Sequence, residues 1–190
     1  MLTTTEWDTY LQECTDYAEN EFASTIAMRK RRGQSNPEKI KHQTTVGKLG
    51  ELLAWNYLTG LGYACTEPDF AIYEGSRKSW ESDMFIEDGA DRWKVACKSQ
   101  DMASARAYGR SWIFQKAGMG HGHSDPVIKT GNSLSVFVSV DLENRTCEVL
   151  GPFDMKDLRP LFKPPRIKWL AFSKVALYWD DMQDVPIVAL

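Results

Sequence analysis

The sequence predicts an α/β protein, a mixed β-sheet flanked by helices and preceded by an N-terminal helix. Apolar residues recur at helical spacing through the first sixty positions or so, and the period shifts towards two after Tyr63. The composition, 43% hydrophobic and 26% charged, is ordinary for a globular chain. At 190 residues it reads as a single domain: residues 1–40 an N-terminal helix and basic loop, 41–116 a core able to carry chemistry, and 117–190 the completion of the sheet and a tail.

Thr3-Thr4-Thr5-Glu6 has the pattern of a capping box, and Trp7, Tyr10, Leu11, Cys14, Tyr17, Ala18, Phe22 and Ile26 carry a first helix to about Arg32. Residues 33–37, Gly-Gln-Ser-Asn-Pro, make a loop. Val46, Leu49, Leu53, Ala54 and Tyr57 give a second amphipathic helix that ends at Gly60 and Gly62, with Glu51 towards the edge of its apolar stripe. Residues 83–87 and 93–98 read as two strands joined around Asp88-Gly89 by a connection longer than a tight two-residue turn. Met102 to Tyr108 suits a short helix, residues 117–126 a glycine-rich loop, and Leu134 to Val140 a strand. The tail offers a short helix near Asp154 to Phe162 and further strands around Trp169 to Tyr178.

No apolar run approaches the roughly 18–20 residues of a membrane span, and the N-terminus lacks the basic and apolar regions of a secretory leader, so a cytoplasmic protein is expected. Cys14, Cys65, Cys97 and Cys147 are far apart, which fits reduced thiols better than zinc or disulfides. The net charge of −3 argues weakly against nucleic acid, but its distribution does not. Residues 1–27 carry six acids and no Lys or Arg, whereas Arg29, Lys30, Arg31, Arg32, Lys39, Lys41 and Lys48 follow against Glu38 alone. A second block holds Arg92, Lys94, Lys98, Arg106, Arg110 and Lys116 against Asp101. Local basic surfaces attract a phosphate backbone even on a mildly acidic chain, because salt screens charges beyond about 8–10 Å. DNA is the expected partner, held through Arg29 to Arg32, Lys39, Lys41, Arg106, Arg110 and Lys116. Ser111 to Lys116 and the Gly118 to Lys129 loop are candidates for reading bases.

On the second hairpin strand Trp93, Val95 and Cys97 share one face, while Lys94, Ala96, Lys98 and Gln100 form a polar row on the other. A helix bearing Glu51, a strand starting at Asp83, and a strand carrying Ala96-Cys97-Lys98 and then Gln100 resembles the PD-(D/E)XK nuclease superfamily over residues 43–100. The resemblance implies a restriction-endonuclease-like fold and Mg²⁺-dependent hydrolysis of DNA phosphodiesters, with Mn²⁺ able to substitute. It implies that Asp83 binds metal, Glu51 binds it directly or through water, Lys98 orients or helps deprotonate the attacking water, and Gln100 helps position it. Duplex cleavage would suit a homodimer.

The position two before the lysine should be a metal-binding acid and is Ala96. Three explanations stand: an inactivating substitution, a DNA-binding protein that is catalytically silent, or a shifted register. The first is preferred because Glu51, Asp83 and Lys98 look like a working site short of one ligand. Asp69, in the literal Pro68-Asp69 pair, is the second candidate for the motif aspartate. His121, His123 and Asp125 lack a third histidine or cysteine and are read as polar loop residues. Val46-Gly47-Lys48-Leu49 lacks the first glycine and the hydroxyl residue of a P-loop.

Overall fold

A computed structural model describes residues 2–31, 33–73, 82–116, 125, 128 and 133–189. Its first element starts where the capping box places it. Thr3 Oγ1 accepts the Glu6 N–H at 3.2 Å and Glu6 Oε2 accepts the Thr3 N–H at 2.7 Å, opening helix α1 (Thr4–Arg31). Trp7, Cys14, Ala18, Glu21 and Thr25 are its buried residues, a stripe at helical spacing that packs on helix α2 (Pro37–Gly60). Asn36 caps α2 by accepting the Lys39 N–H at 3.0 Å, and Pro37 follows at a position where no N–H is needed.

Five strands form the main sheet. In spatial order they are β1 (Ala64–Cys65), β2 (Met84–Asp88), β3 (Asp91–Asp101), β5 (Ser133–Asp141) and β6 (Thr146–Asp154). Only the β3–β5 pair is parallel. Between them in the chain come helix α3 (Met102–Tyr108), capped by Asp101, and strand β4 (Ser111–Gln115). Strand β4 pairs antiparallel with β7 (Lys174–Tyr178) as a separate ribbon. Helix α4 (Met155–Leu158) follows β6 directly.

The sheet separates two apolar clusters. Leu49, Leu53 and Leu58 of α2 meet Val95, Cys97, Leu134, Val136 and Val138 on one face. Ala96, Trp112, Phe114, Phe137, Phe153, Met155 and Leu177 fill the other. Residues 133–140 of β5 are buried throughout, so Ser135 and Phe137 face a second core rather than solvent.

Several expectations are corrected. The hairpin turn is only Gly89-Ala90, between the paired Asp88 and Asp91, with Gly89 at φ +59°; both strands extend further than the apolar pattern shows. Strand β6 was not anticipated. In the tail only residues 174–178 are strand, and Trp169 lies in a 3₁₀ turn (Lys168–Leu170). Ser111 to Gln115 form β4, paired along its length with β7; Trp112 and Phe114 on one face are buried, and Ile113 on the other is exposed. All four cysteines are unbridged, and no helix among the described residues is long and apolar enough to cross a membrane.

Candidate active site

Strand β3 changes partners along its length. Residues 91–95 pair with β2 and residues 94–101 pair with β5, so beyond Val95 the β2-side edge continues without β2. Asp83, immediately before β2, turns its carboxylate onto that edge and accepts the Cys97 N–H at Oδ2, 2.8 Å away. This places an acid beside the point where Lys98 leaves the strand.

Gly50 brings α2 to the same place. A Cβ there would lie 1.7 Å from Ser99 Oγ and 2.7 Å from Ser99 Cβ, so only a hydrogen fits between helix and strand. The next residue is Glu51. Its Oε2 accepts from Lys48 Nζ at 2.6 Å, an i,i+3 pair whose side chains are 17% and 13% exposed. Lys48 is itself fixed: it donates to the Asp69 carbonyl at 2.6 Å and lies 5.0 Å and 5.3 Å from the ring centres of Tyr17 and Phe70. Lys98 completes the group, 2.8 Å from Asp125 Oδ2 and 5.4 Å from the Phe114 ring centre.

The electrostatics follow from packing two acids into a part-buried space. Burial and the neighbouring Asp83 push the Glu51 carboxyl up to about 7, against the pull of Lys48 and Lys98. Burial also raises Asp83, although Lys98 and the Cys97 N–H favour its charged form. Burial alone would lower Lys98, but Asp83 and Asp125 outweigh it and hold the ammonium above its ordinary value. Lys48 behaves likewise through Glu51. The cluster therefore has two carboxyls that are costly to ionise and two lysines that stay charged. Another cation beside the acids would lower both carboxyl values.

No family model, curated protein or solved structure matches this chain. The chemistry must be read from these side chains.

Glu51, Asp83 and Lys98, chosen from the sequence, come close enough to act on one another: Asp83 raises the Glu51 carboxyl, and Lys98 favours the charged form of both acids. Asp69 does not join it through its carboxylate, which accepts from the Ala71 N–H at 2.8 Å and from the Tyr73 hydroxyl; its part is the carbonyl that holds Lys48. Gln100 is anchored: its Nε2 donates to the Gly109 carbonyl at 3.1 Å and its Oε1 accepts the Ser111 N–H at 2.9 Å, so the amide ties β3 to the connection between α3 and β4. Ala96 is corrected as part of a polar row: it is 2% exposed and belongs to the cluster of Trp112, Phe114 and Phe137.

The expected DNA-contacting residues divide. Arg29 pairs with Glu21 at 2.5 Å, Lys41 with Glu19 at 2.9 Å, Arg106 with Asp141 at 3.5 Å, and Arg110 with Glu148. Two of these pairs, Arg29–Glu21 and Lys41–Glu19, join the acidic and basic blocks of the sequence in space. Lys30, Lys39 and Lys116 are exposed without an ion pair among the described residues. Arg32, the Arg31 side chain, His121 and His123 lie outside the described residues.

Sequence reasoning missed Lys48 and Asp125. The i,i+3 spacing of Lys48 and Glu51 was the available signal for the first. Asp125 had none, because its partner Lys98 is distant in sequence.

The donor set fits a hard divalent cation in part. Mg²⁺ is commonly held by one or two carboxylates and several waters, and Glu51 and Asp83 supply two. Among the described residues no group of three or more His, Cys, Asp or Glu side chains could hold a metal.

Proposed function

We propose that this chain is a metal-dependent DNA endonuclease built on a restriction-endonuclease-like variant of the mixed sheet, with Mg²⁺ as its cation and Mn²⁺ able to replace it. The observation that carries the reading is the convergence of Glu51, Asp83 and Lys98 from a helix, a strand start and the neighbouring strand, with both carboxyls raised. Two neighbouring acids that resist ionisation suit a site whose working state contains another positive charge.

A bound Mg²⁺ would polarise the phosphoryl oxygen and lower the pKa of the attacking water. Asp83 and Glu51 would hold it, with Lys48 restraining Glu51. Lys98 stays protonated, so it steadies charge developing on the phosphate and does not serve as the base in that form. Asp125 holds its ammonium in place. Ala96 leaves the cation short of a third acid, so catalysis by this chain is weak, and Ala96→Glu restores it. Paired cuts in a duplex would require two copies.

A catalytically silent DNA-binding protein is the second reading, favoured by the burial of Ala96 in an apolar cluster. Supercoiled-plasmid cleavage in Mg²⁺ and Mn²⁺, run beside calorimetric metal titration, separates the two. Metal uptake and cleavage that disappear in Lys98→Ala support the nuclease. A folded Ala96→Glu protein that binds DNA yet, like the native chain, does not cut it overturns the nuclease reading in favour of the silent one.

A further inference from the structure

A cavity of about 330 Å³ opens on the far side of Lys98, between the end of β3, helix α3 and the β4–β7 ribbon. Its walls include Lys98, Tyr108, Trp112, Ile113, Arg166 and Tyr178. That volume is at the lower end of the roughly 300–1,000 Å³ typical of small-ligand pockets. Arg166 forms a fixed part of the wall. Its Nη1 donates to the Tyr108 carbonyl at 2.7 Å and its guanidinium lies 4.7 Å from the Tyr178 ring centre. Gly109, at φ +80°, makes room for it, since a Cβ there would come within 2.4 Å of Arg166 Nη1.

The segment that supplies Pro165, Arg166 and Ile167 to this wall has an unusual composition. Residues 158–179 include Arg159, Lys163, Arg166, Lys168 and Lys174 and not one Asp or Glu. Lys163 is paired with Asp181 at 2.5 Å, whereas among the described residues the Arg166 guanidinium donates to the Tyr108 carbonyl and Lys168 is exposed, so these two carry the positive charge of the segment to solvent. Two residues along the chain from Ile167 of the cavity wall, Trp169 is 77% exposed, and Phe172 is 65% exposed. Two large aromatics left in solvent within a run of cations have the chemistry of a nucleic-acid stacking platform: the faces take bases and the cations follow the phosphates.

We propose that the 163–174 segment and the cavity beside Lys98 bind an unpaired stretch of nucleic acid, Trp169 and Phe172 stacking on exposed bases and the cavity receiving one unstacked base next to the reactive cluster. This deepens the nuclease reading and rests on it for the location of the chemistry. It narrows the preferred substrate to DNA with single-stranded character, such as a flap, bulge or junction. A paired duplex keeps its bases inside the stack and offers these aromatics only its backbone and grooves.

The test is fluorescence anisotropy in Ca²⁺ with two labelled probes, a twenty-residue oligo-dT and a blunt duplex of twenty base pairs. The native chain is expected to bind oligo-dT more tightly than the duplex. Trp169→Ala and Phe172→Ala should each weaken oligo-dT binding by about fivefold to a hundredfold, the range for removing one base stack, and leave duplex binding within about twofold. Lys168→Gln should reduce the salt slope on oligo-dT by about 0.7. These side chains are largely exposed, and circular dichroism melting of each variant checks that it remains folded. Equal losses on both probes, no loss on oligo-dT, no oligo-dT binding by the native chain, or binding of phosphatidylserine vesicles in preference to oligo-dT would each overturn the proposal. Cleavage is scored separately in the native chain and Ala96→Glu, with Lys98→Ala as the negative control: if neither the native chain nor a folded Ala96→Glu protein cleaves while Trp169→Ala selectively loses oligo-dT, the nuclease reading fails and the stacking site stands. If cleavage is intact but Trp169→Ala has no effect on oligo-dT, only the stacking site fails.

Discussion

The Cys97 N–H donates to Asp83 Oδ2 across 2.8 Å, so a side-chain carboxylate serves the edge of β3 where β2 has ended. One acid thereby does two things: it terminates a hairpin, and it is held at a fixed height beside Lys98. The raised Asp83 carboxyl shows that this placement costs free energy in the charged form.

Asp83→Asn and Asp83→Ala should therefore part company in stability. The amide keeps an acceptor for Cys97 and sheds the buried charge, so its urea midpoint should equal or exceed that of the native chain. The alanine leaves a part-buried N–H without that acceptor and should cost about 1–3 kcal/mol. Both, introduced beside Ala96→Glu, should abolish Mg²⁺-dependent cleavage. Equal stability of the two variants would remove the structural role of this hydrogen bond.

Glu51 sets a pH dependence opposite to that of most acids. Its carboxyl titrates at about 7 in the fold against 4.5 ordinarily, so between these values the folded state holds more protons than the unfolded one. Stability must then fall as pH rises from about 4.5 to 7 and level off above, by on the order of 3 kcal/mol. Glu51→Gln should flatten that part of the profile and melt higher than the native chain at pH 8. Mg²⁺ should raise the melting temperature of the native chain more than that of Glu51→Gln. A native profile that rises steadily through this window would contradict the buried, acid-paired position of Glu51.

Gly50→Ala tests the contact between helix and strand. Alanine is the better helix former by about 1 kcal/mol, yet its methyl would collide with Ser99, and overpacking of this kind costs about 1–3 kcal/mol. The single variant should melt lower than the native chain, and adding Ser99→Gly should recover much of the deficit. Thermal melts of the two proteins decide it.

Ala96→Glu places a long acid in a site 2% exposed. Overpacking should lower its stability by about 1–3 kcal/mol, with Lys98 offsetting part of the charge penalty. The expected gain is plasmid cleavage in Mg²⁺ and tighter metal binding by calorimetry. A folded variant that neither binds metal more tightly nor cuts DNA would show that alanine belongs at this position.

Neutralising exposed Lys30 and Lys39 together should lower the slope of duplex affinity against salt by up to about 0.9 for each phosphate that these lysines engage. Lys41→Gln should change it less, because Lys41 is already engaged by Glu19 and Glu38. Salt titrations of the three substitutions, compared with the native chain, measure both effects.

Local chemistry was the legible part of the fold. Thr3 and Glu6 mark the start of α1, and period-two alternation finds β2, β3 and β5. Strand β6 escaped because Glu148, Gly151 and Pro152 interrupt its pattern, and the hairpin turn was misplaced because the polar pair Asp91-Arg92 reads as loop. The candidate site was legible where order along the chain carries it, in Glu51, Asp83 and Lys98. Parity put Ala96 and Gln100 on the right face and could not tell that β4 and β7 cover it there. Nor could charge counting foresee that Glu19 would meet Lys41 across the α1–α2 contact.

The change of partners along β3 also orders the events of folding. Its first half closes on β2 through a two-residue turn, a local hairpin of the kind that forms in about 1–10 μs. Its second half must wait for Ser133 and the residues after it, roughly forty positions downstream, before the parallel pairing can form. Asp83 can thus meet Cys97 early, whereas Lys98 gains its setting only when the distant strand arrives. A nascent chain released before β5 would carry the acids of the cluster without the strand that frames Lys98, so the three side chains share one setting only once the sheet is complete.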